Sequence, residues 1–276
     1  MAKINQNNFL ETVNEVFTDA KREGVMHLYA DGESFTGRTI SLKKRKLFHF
    51  GTTGYLGLEQ DPRLKAAAIN AIIKYGTQFP LSKSYISNPL YKSLEQKLTE
   101  MYQNPIIITK NSTLGHMGVI PNAVSDQDAI ILDHQVHWSV QSAAKVLKNR
   151  SVPIDMIRHN DLTMLEDKIK SFSDQRKKIW YMADGIYSMY GDFSPIQDLK
   201  VLSLKYPQLH LYIDDVHGMS WIGKNGTGYA LSELKEISEN ILLFGTLSKT
   251  FGASGAVLVC SNKKMYHEIK TFGGPL

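Results

Sequence analysis

The stretch Ile241–Ser254 reads ILLFGTLSKTFGAS, and its reading decides the fold. Four apolar residues, Ile241 to Phe244, have the continuity of a strand buried on both faces. The run breaks at Gly245. Thr246, Ser248 and Lys249 follow, ahead of a loop with Gly252 and Gly255. Burying an ammonium costs free energy unless the charge is paired or chemically used, so a lysine at the end of a buried strand is a poor packing choice. On this stretch alone, a solvated loop lysine and a reactive one explain the residue equally well.

Working outward, the pattern repeats. Apolar strands are predicted at Ile106–Thr109, Ala129–Asp133, Pro153–Ile157, Lys178–Ala183 and Leu209–Asp214. Helices are predicted between them, near Thr113–Ala123, His137–Leu147, Asp161–Phe172 and Pro195–Tyr206. Strand and helix in alternation imply right-handed crossovers and a largely parallel sheet covered on both faces, an α/β fold in three layers. Ala256–Cys260 follows Lys249 too closely for a helical crossover and is read as an antiparallel strand. Toward the N-terminus, Asn8–Glu23 has the spacing of an amphipathic helix, with Phe9, Val13, Val16, Phe17 and Ala20 on one face and Gly24 to stop it. Residues 25–47 are turn-rich, with a basic cluster at Lys43–Lys46 read as solvated. Three glycines in Phe48–Leu58 suggest tight turns. Asp61 and Pro62 open a helix to about Tyr75, a polar loop spans Gly76–Asn88, and Pro89 opens another helix.

Composition narrows the class. The chain has 276 residues, 42% apolar and 21% charged, with a net charge of +5, ordinary values for a globular enzyme. The basic residues are spread among acids, which argues against a nucleic-acid footprint. No segment reaches the length of a membrane span, and MAKINQNNF has no apolar leader core. The single cysteine, Cys260, sits in an apolar run and is read as a small buried hydrophobe. Together these features predict a cytoplasmic protein without nucleic-acid or membrane partners.

In open parallel sheets, ligands bind beyond the carboxyl ends of the strands. Those ends carry Ser112 and Thr113, His134 and His137, Asp184 and Ser188, then Asp214, Asp215 and His217, and finally Thr246, Ser248 and Lys249. Metal is disfavoured, because the histidines and aspartates match no zinc or iron spacing and a central lysine is a poor neighbour for a cation. The phosphate-loop, dinucleotide and GxSxG patterns are absent. A Schiff-base lysine accounts for more of the set. Pyridoxal phosphate needs a lysine for its aldehyde, an acid for its ring nitrogen and donors for its phosphate. Asp214 suits the ring nitrogen; the hydroxyls of Thr246 and Ser248 and the amides of Ser112–Leu114 suit the phosphate. The plainer readings are that Asp215 caps a turn, that Ser112 caps its helix, and that His134 lies at the surface.

DDVHG at 214–218, GTLSK at 245–249, GYLGL at 54–58 and DGIYSMYGD at 184–192 resemble the α-oxoamine synthase family of fold-type-I pyridoxal-phosphate enzymes, from about residue 9 onward. The resemblance implies an N-terminal helix and arm over 1–47 and a cofactor-binding large domain over 48–276. It implies that Lys249 forms the Schiff base and acts as base, that Asp214 pairs with the ring nitrogen, and that His217 and Ser188 contact the phenolic oxygen. It also implies that His137 stacks on the ring, that Thr246 binds phosphate, and that Thr113 and Leu114 stand near it. The implied reaction condenses an amino acid with an acyl-CoA thioester in a homodimer. Three departures stand out: GTQFPLSKS at 76–84, where the family is glycine-rich and Lys83 replaces an arginine; Gly54, where it has asparagine; and a chain ending at FGGPL, 272–276, where the family continues into a small C-terminal domain. The expectation is therefore a truncated or partial enzyme. An aminotransferase or aldolase on the same fold is the alternative, as is a non-catalytic homologue that pairs with a full-length partner.

Overall fold

The computed structural model describes residues 6–32, 34–77 and 85–273, and the side chains from residue 11 onward. Lys83 and the last three residues lie outside this range. The chain divides into two compact units, Met1–Thr52 and Thr53–Leu276.

The first unit contains helix α1 (Gln6–Arg22) and a hairpin of β1 (Thr39–Leu42) and β2 (Arg45–Phe48). The spacing of apolar residues foretold the helix, but Val16 and Phe17 remain 60% and 40% exposed. The hairpin was not foreseen. Its two-residue turn places Lys43 and Lys44 at φ 50° and 62°, the left-handed pair that suits the strand twist and that Asn-Gly normally advertises. The carboxylate of Asp31 accepts the Lys44 N–H at 2.8 Å and steadies the turn.

The second unit opens with a 3-10 turn at Leu58–Gln60 and helix α2 (Pro62–Tyr75), whose Asp61 cap accepts the Arg63 N–H. Helix α3 (Pro89–Tyr102) is capped by Asn88. The alternating part follows: β3 (Ile106–Thr109), α4 (Ser112–Ala123), β4 (Ala129–Asp133), α5 (Trp138–Val146), β5 (Ile154–Ile157), α6 (Leu162–Ser173), β6 (Ile179–Asp184), α7 (Ile196–Lys205), β7 (Leu209–Asp214), α8 (Tyr229–Leu234), β8 (Ile241–Thr246), β9 (Ala256–Cys260) and α9 (Lys263–Phe272). The sheet order is β3-β9-β8-β7-β6-β4-β5. The strands from β8 to β5 run parallel, and β9 is antiparallel to both β8 and β3.

Alternate strand residues point to opposite faces and build two cores. Ile131, Tyr181, Leu211 and Leu243 pack with α3, α6, α7 and α8. Ile130, Leu132, Trp180, Leu242 and Phe244 pack with α4, α5 and α9. The three-layer α/β expectation is therefore correct, with small shifts: β8 extends through Thr246, and α5 begins at Trp138 so that His137 is its cap. The short α8 and the terminal α9 were not anticipated.

Candidate active site

Strand β7 delivers Asp214 to the carboxyl edge of the sheet with only 1% of its surface exposed. A buried carboxylate needs hydrogen-bond donors, and one comes from α4. His116 Nε2 lies 3.0 Å from Asp214 Oδ2, and His116 Nδ1 lies 2.7 Å from the hydroxyl of Tyr212. The imidazole is itself fully buried, its ring 4.5 Å from that of Phe244. Burial alone would raise the Asp214 carboxyl. The charge and hydrogen bond of His116, with the charges of Lys249 and His137, outweigh it and hold the group below the usual carboxylate range. The second oxygen, Oδ1, is buried and has no hydrogen-bond partner.

Asp184 ends β6 directly beside Asp214 in the parallel register. Burial, reinforced by the charge of Asp214, pushes its carboxyl well up. Its Oδ1 accepts the backbone N–H of His137 at 3.0 Å, which fixes the start of α5. The His137 side chain caps that helix, with Nδ1 2.6 Å from the Ser139 hydroxyl. Half-burial lowers its imidazole pKa.

His217 follows β7 by three residues. Its Nδ1 lies 2.5 Å from the Tyr55 hydroxyl, and its carbonyl accepts the Trp221 indole N–H. Burial first, then the charge of Lys249, depress its pKa to about 4. Lys249 itself is shifted down by burial against the opposing pull of Asp214 and Asp184. Lys249, Asp214, Asp184, His137 and His217 thus share one electrostatic neighbourhood.

Thr246 and Ser248 form a small hydroxyl network at the end of β8. Both hydroxyls reach the Gly255 carbonyl, at 3.0 and 3.2 Å, and they lie 3.0 Å from one another. Ser112 is not the cap of α4; Asn111 is, and its side chain takes the Leu114 N–H at 2.8 Å. The anion-binding capacity of this helix start therefore rests on the amides of Ser112 and Thr113. Ser188 occupies the exposed turn closed by the Gly191 N–H on the Tyr187 carbonyl. His134 is exposed, as expected. Asp215 braces a helix start: its Oδ2 accepts the Ala230 N–H of α8 at 2.8 Å. Among the described residues no group of three histidine, cysteine or acidic side chains could hold a metal, and no helix is long and apolar enough to cross a membrane.

His116 and Tyr55 escaped the sequence reading. His116 sits within a helical run of small and apolar residues, where a histidine reads as core. The one available signal was its position four residues after Ser112, on a helix that starts at a strand end.

The aminotransferase class I and II profile matches residues 45–276. A putative 8-amino-7-oxononanoate synthase of Parvibaculum lavamentivorans is 32% identical over 82% of this chain and 57% of its own length. A serine palmitoyltransferase of Bacteriovorax stolpii is 28% identical over 82% of this chain and 53% of its own. The solved serine palmitoyltransferase of Sphingomonas wittichii superposes with a TM-score of 0.85 at 24% identity, over 99% of this chain and 67% of that one, a likeness of fold. A second solved structure, of SPT with PLP internal aldimine, gives 0.79 at 21% identity over 95% of this chain and 66% of that one. The chain spans between 57% and 65% of the length of the 8-amino-7-oxononanoate synthases named first among its relatives. With a profile match across the whole alternating sheet and all of its carboxyl-edge residues, the chain belongs to the aminotransferase class I and II family.

Proposed function

We propose that this chain holds pyridoxal 5′-phosphate at the carboxyl edge of its sheet and forms the cofactor-binding part of an acyltransferase that joins an amino acid to an acyl-CoA thioester. One observation carries the cofactor assignment. Asp214 presents a buried oxygen, Oδ1, that lacks a donor while Oδ2 is held by His116. A protonated ring nitrogen supplies that donor, and a carboxylate held ionised keeps it protonated. When bound, the cofactor supplies an electron-withdrawing ring that stabilises negative charge at the α-carbon of an amino acid.

The chain's own residues do the rest. Lys249 is the covalent anchor. Its lowered pKa raises the fraction of neutral amine, and once a substrate amino group had displaced it from the cofactor, the freed Nζ would take and return the α-proton. His217 is neutral at pH 7 and, oriented by Tyr55, would give a hydrogen bond to the phenolic oxygen. Ser188 is a second candidate for that oxygen. His137, fixed by Asp184 and Ser139, would cover a face of the ring. Thr246 and Ser248 compete for one carbonyl, so one hydroxyl proton can turn to a phosphate oxygen. The amides of Ser112 and Thr113 complete that cradle, next to Leu114. The relatives named 8-amino-7-oxononanoate synthase and serine palmitoyltransferase support the acyl-transfer reading over amino transfer. We read the protein as a cytoplasmic homodimer.

The purified chain with added pyridoxal phosphate should develop a visible absorbance that sodium borohydride fixes covalently and that Lys249→Ala abolishes. No such band in cofactor excess sinks the cofactor assignment. Free thiol released from acyl-CoA only when an amino acid is present supports acyl transfer. Amino transfer to a keto acid selects the aminotransferase reading, and cofactor binding with neither activity selects a partner-dependent chain.

A further inference from the structure

Outside this site, a second ionisable network joins two of the loops that build it. His159 lies on the loop between β5 and α6. Its Nδ1 is 2.9 Å from Asp133 Oδ1, at the end of β4, and its Nε2 is 2.8 Å from Asp192 Oδ2, just past the turn that carries Ser188. A neutral imidazole has one N–H and one lone pair, so a ring between two carboxylate oxygens satisfies both only as imidazolium.

The two carboxylates are not equally secured. Asp133 is fully buried and also accepts from the Gln135 N–H, the Asn160 N–H and the Tyr181 hydroxyl. It leads directly into the loop that ends at His137. Asp192 has its other carboxylate oxygen, Oδ1, buried without a partner, so its side chain is held through His159, while its carbonyl accepts the Tyr187 N–H at 3.0 Å within the turn. Removing the proton leaves Asp133 anchored and releases the Asp192 carboxylate, leaving the turn to its remaining contacts.

We infer that His159 is a positioning residue whose imidazolium ties the Ser188 turn to the His137 loop through Asp192, adding to the turn's backbone bonds and its Gln135–Tyr190 and Asn160–Phe193 contacts a hold that lasts while the ring is protonated. The bearing on catalysis rests on the function proposed above; the tie itself does not. Among the other groups facing the ring, the Asn160 amide nitrogen lies 3.4 Å from Nε2. Tyr187 meets it edge-on at 4.4 Å and Tyr190 lies at 5.6 Å. From the β4–α5 loop, His134 contacts Gln135, whose amide reaches the Tyr190 hydroxyl. Asp184 acts on Tyr187 from β6. On the loop of His159 itself, Arg158 is engaged by Asp161. Tyr181 and Tyr187 are pushed up by burial and stay neutral through the range that matters. Burial alone would lower His159, but the two carboxylates outweigh it and raise its pKa above 6.5. The tie is therefore complete below 6.5 and fails as the pH rises through the raised value.

The test is amide hydrogen exchange over residues 187–193 of the cofactor-free protein, corrected for intrinsic exchange, at pH values on both sides of the His159 titration followed by NMR. Exchange in the turn should rise about tenfold or more across that titration, the factor expected on losing one charge-assisted hydrogen bond, while β6 and β7 stay protected. In His159→Gln the turn should exchange fast at every pH. Asp192→Asn, on a partly exposed side chain, should do the same and serves if the first variant does not fold. Flat exchange in the wild type, or a pH step that survives His159→Gln, overturns the inference. Because no cofactor is present, failure of the proposed reaction leaves this result untouched.

Discussion

His116 and Asp214 form a pair in which each side chain depends on the other. Replacing His116 with alanine would strand a buried carboxylate, and the loss of one partner of a buried pair costs about 3–5 kcal/mol. Chemical denaturation of His116→Ala should show a destabilisation of that size at neutral pH that shrinks as the pH is lowered, because burial without the histidine raises the Asp214 carboxyl and the folded state then takes up its proton more readily than the unfolded chain. His217 makes a separate prediction. Its pKa is about 4 in the folded protein against an ordinary 6.5, so between these values the unfolded chain binds a proton that the folded site refuses. Its contribution to stability is complete above 6.5 and is lost as the pH falls toward 4. An imidazole NMR titration should place its midpoint near the lower value, and His217→Gln should flatten the acid limb of the stability curve. Lys249, Asp214, His137 and His217, which the sequence reading groups and the structure brings into one neighbourhood, end or follow strands, where polarity interrupts an apolar run. His116 and Tyr55 were illegible for opposite reasons: one is embedded in a helix core, and the other is an aromatic among glycines whose partner lies 162 positions away.

At the scale of elements, the parallel strands were readable because burial on both faces leaves uninterrupted apolar runs. The segments that were missed owe their structure to distant atoms. Helix α8 has six residues, too few to be stable by themselves, and its start is held by Asp215, fifteen positions earlier. Three glycines make room for that carboxylate: a Cβ at Gly185, Gly218 or Gly228 would fall within 2.3 Å of an Asp215 oxygen. Gly228 also has φ 103°. Gly228→Ala should therefore destabilise the protein by at least about 1–3 kcal/mol, through backbone strain compounded by the clash, in a denaturant titration. The amides of α8 should lose exchange protection before those of β7. Helix α9 was different. Asn262, Met265 and Ile269 carry a legible cap and spacing, but the strand Ala256–Cys260 ends so close to it that the two merge into one segment.

At the scale of the whole molecule, the fold class was legible because strand and helix alternate in a region longer than either core alone requires. What was not legible is how the N-terminal arm is built, since its hairpin turn is made of lysines. A ligand that binds only the folded chain stabilises it by mass action, about 2.7 kcal/mol at a hundred times its dissociation constant. Thermal melts should rise with pyridoxal phosphate concentration, and the rise should shrink in Asp214→Ala, which removes the ring partner without touching the lysine. Helix α2 leaves Ile69, Ile72 and Ile73 between 50% and 77% exposed, an apolar side suited to the homodimer proposed above.

The position of β9 bears on how this protein is made. The strand slots between β8 and β3, and its register sets Val259 against Ile106. A ribosome therefore releases β3 long before the strand that pairs with it exists. Until β9 emerges, β8 lacks its outer neighbour and β3 has none in the sheet, and unpaired strand edges recruit other chains. Such late, long-range closure is slow. During synthesis the nascent chain is most exposed to aggregation, and most in need of a chaperone, just before its ninth strand arrives.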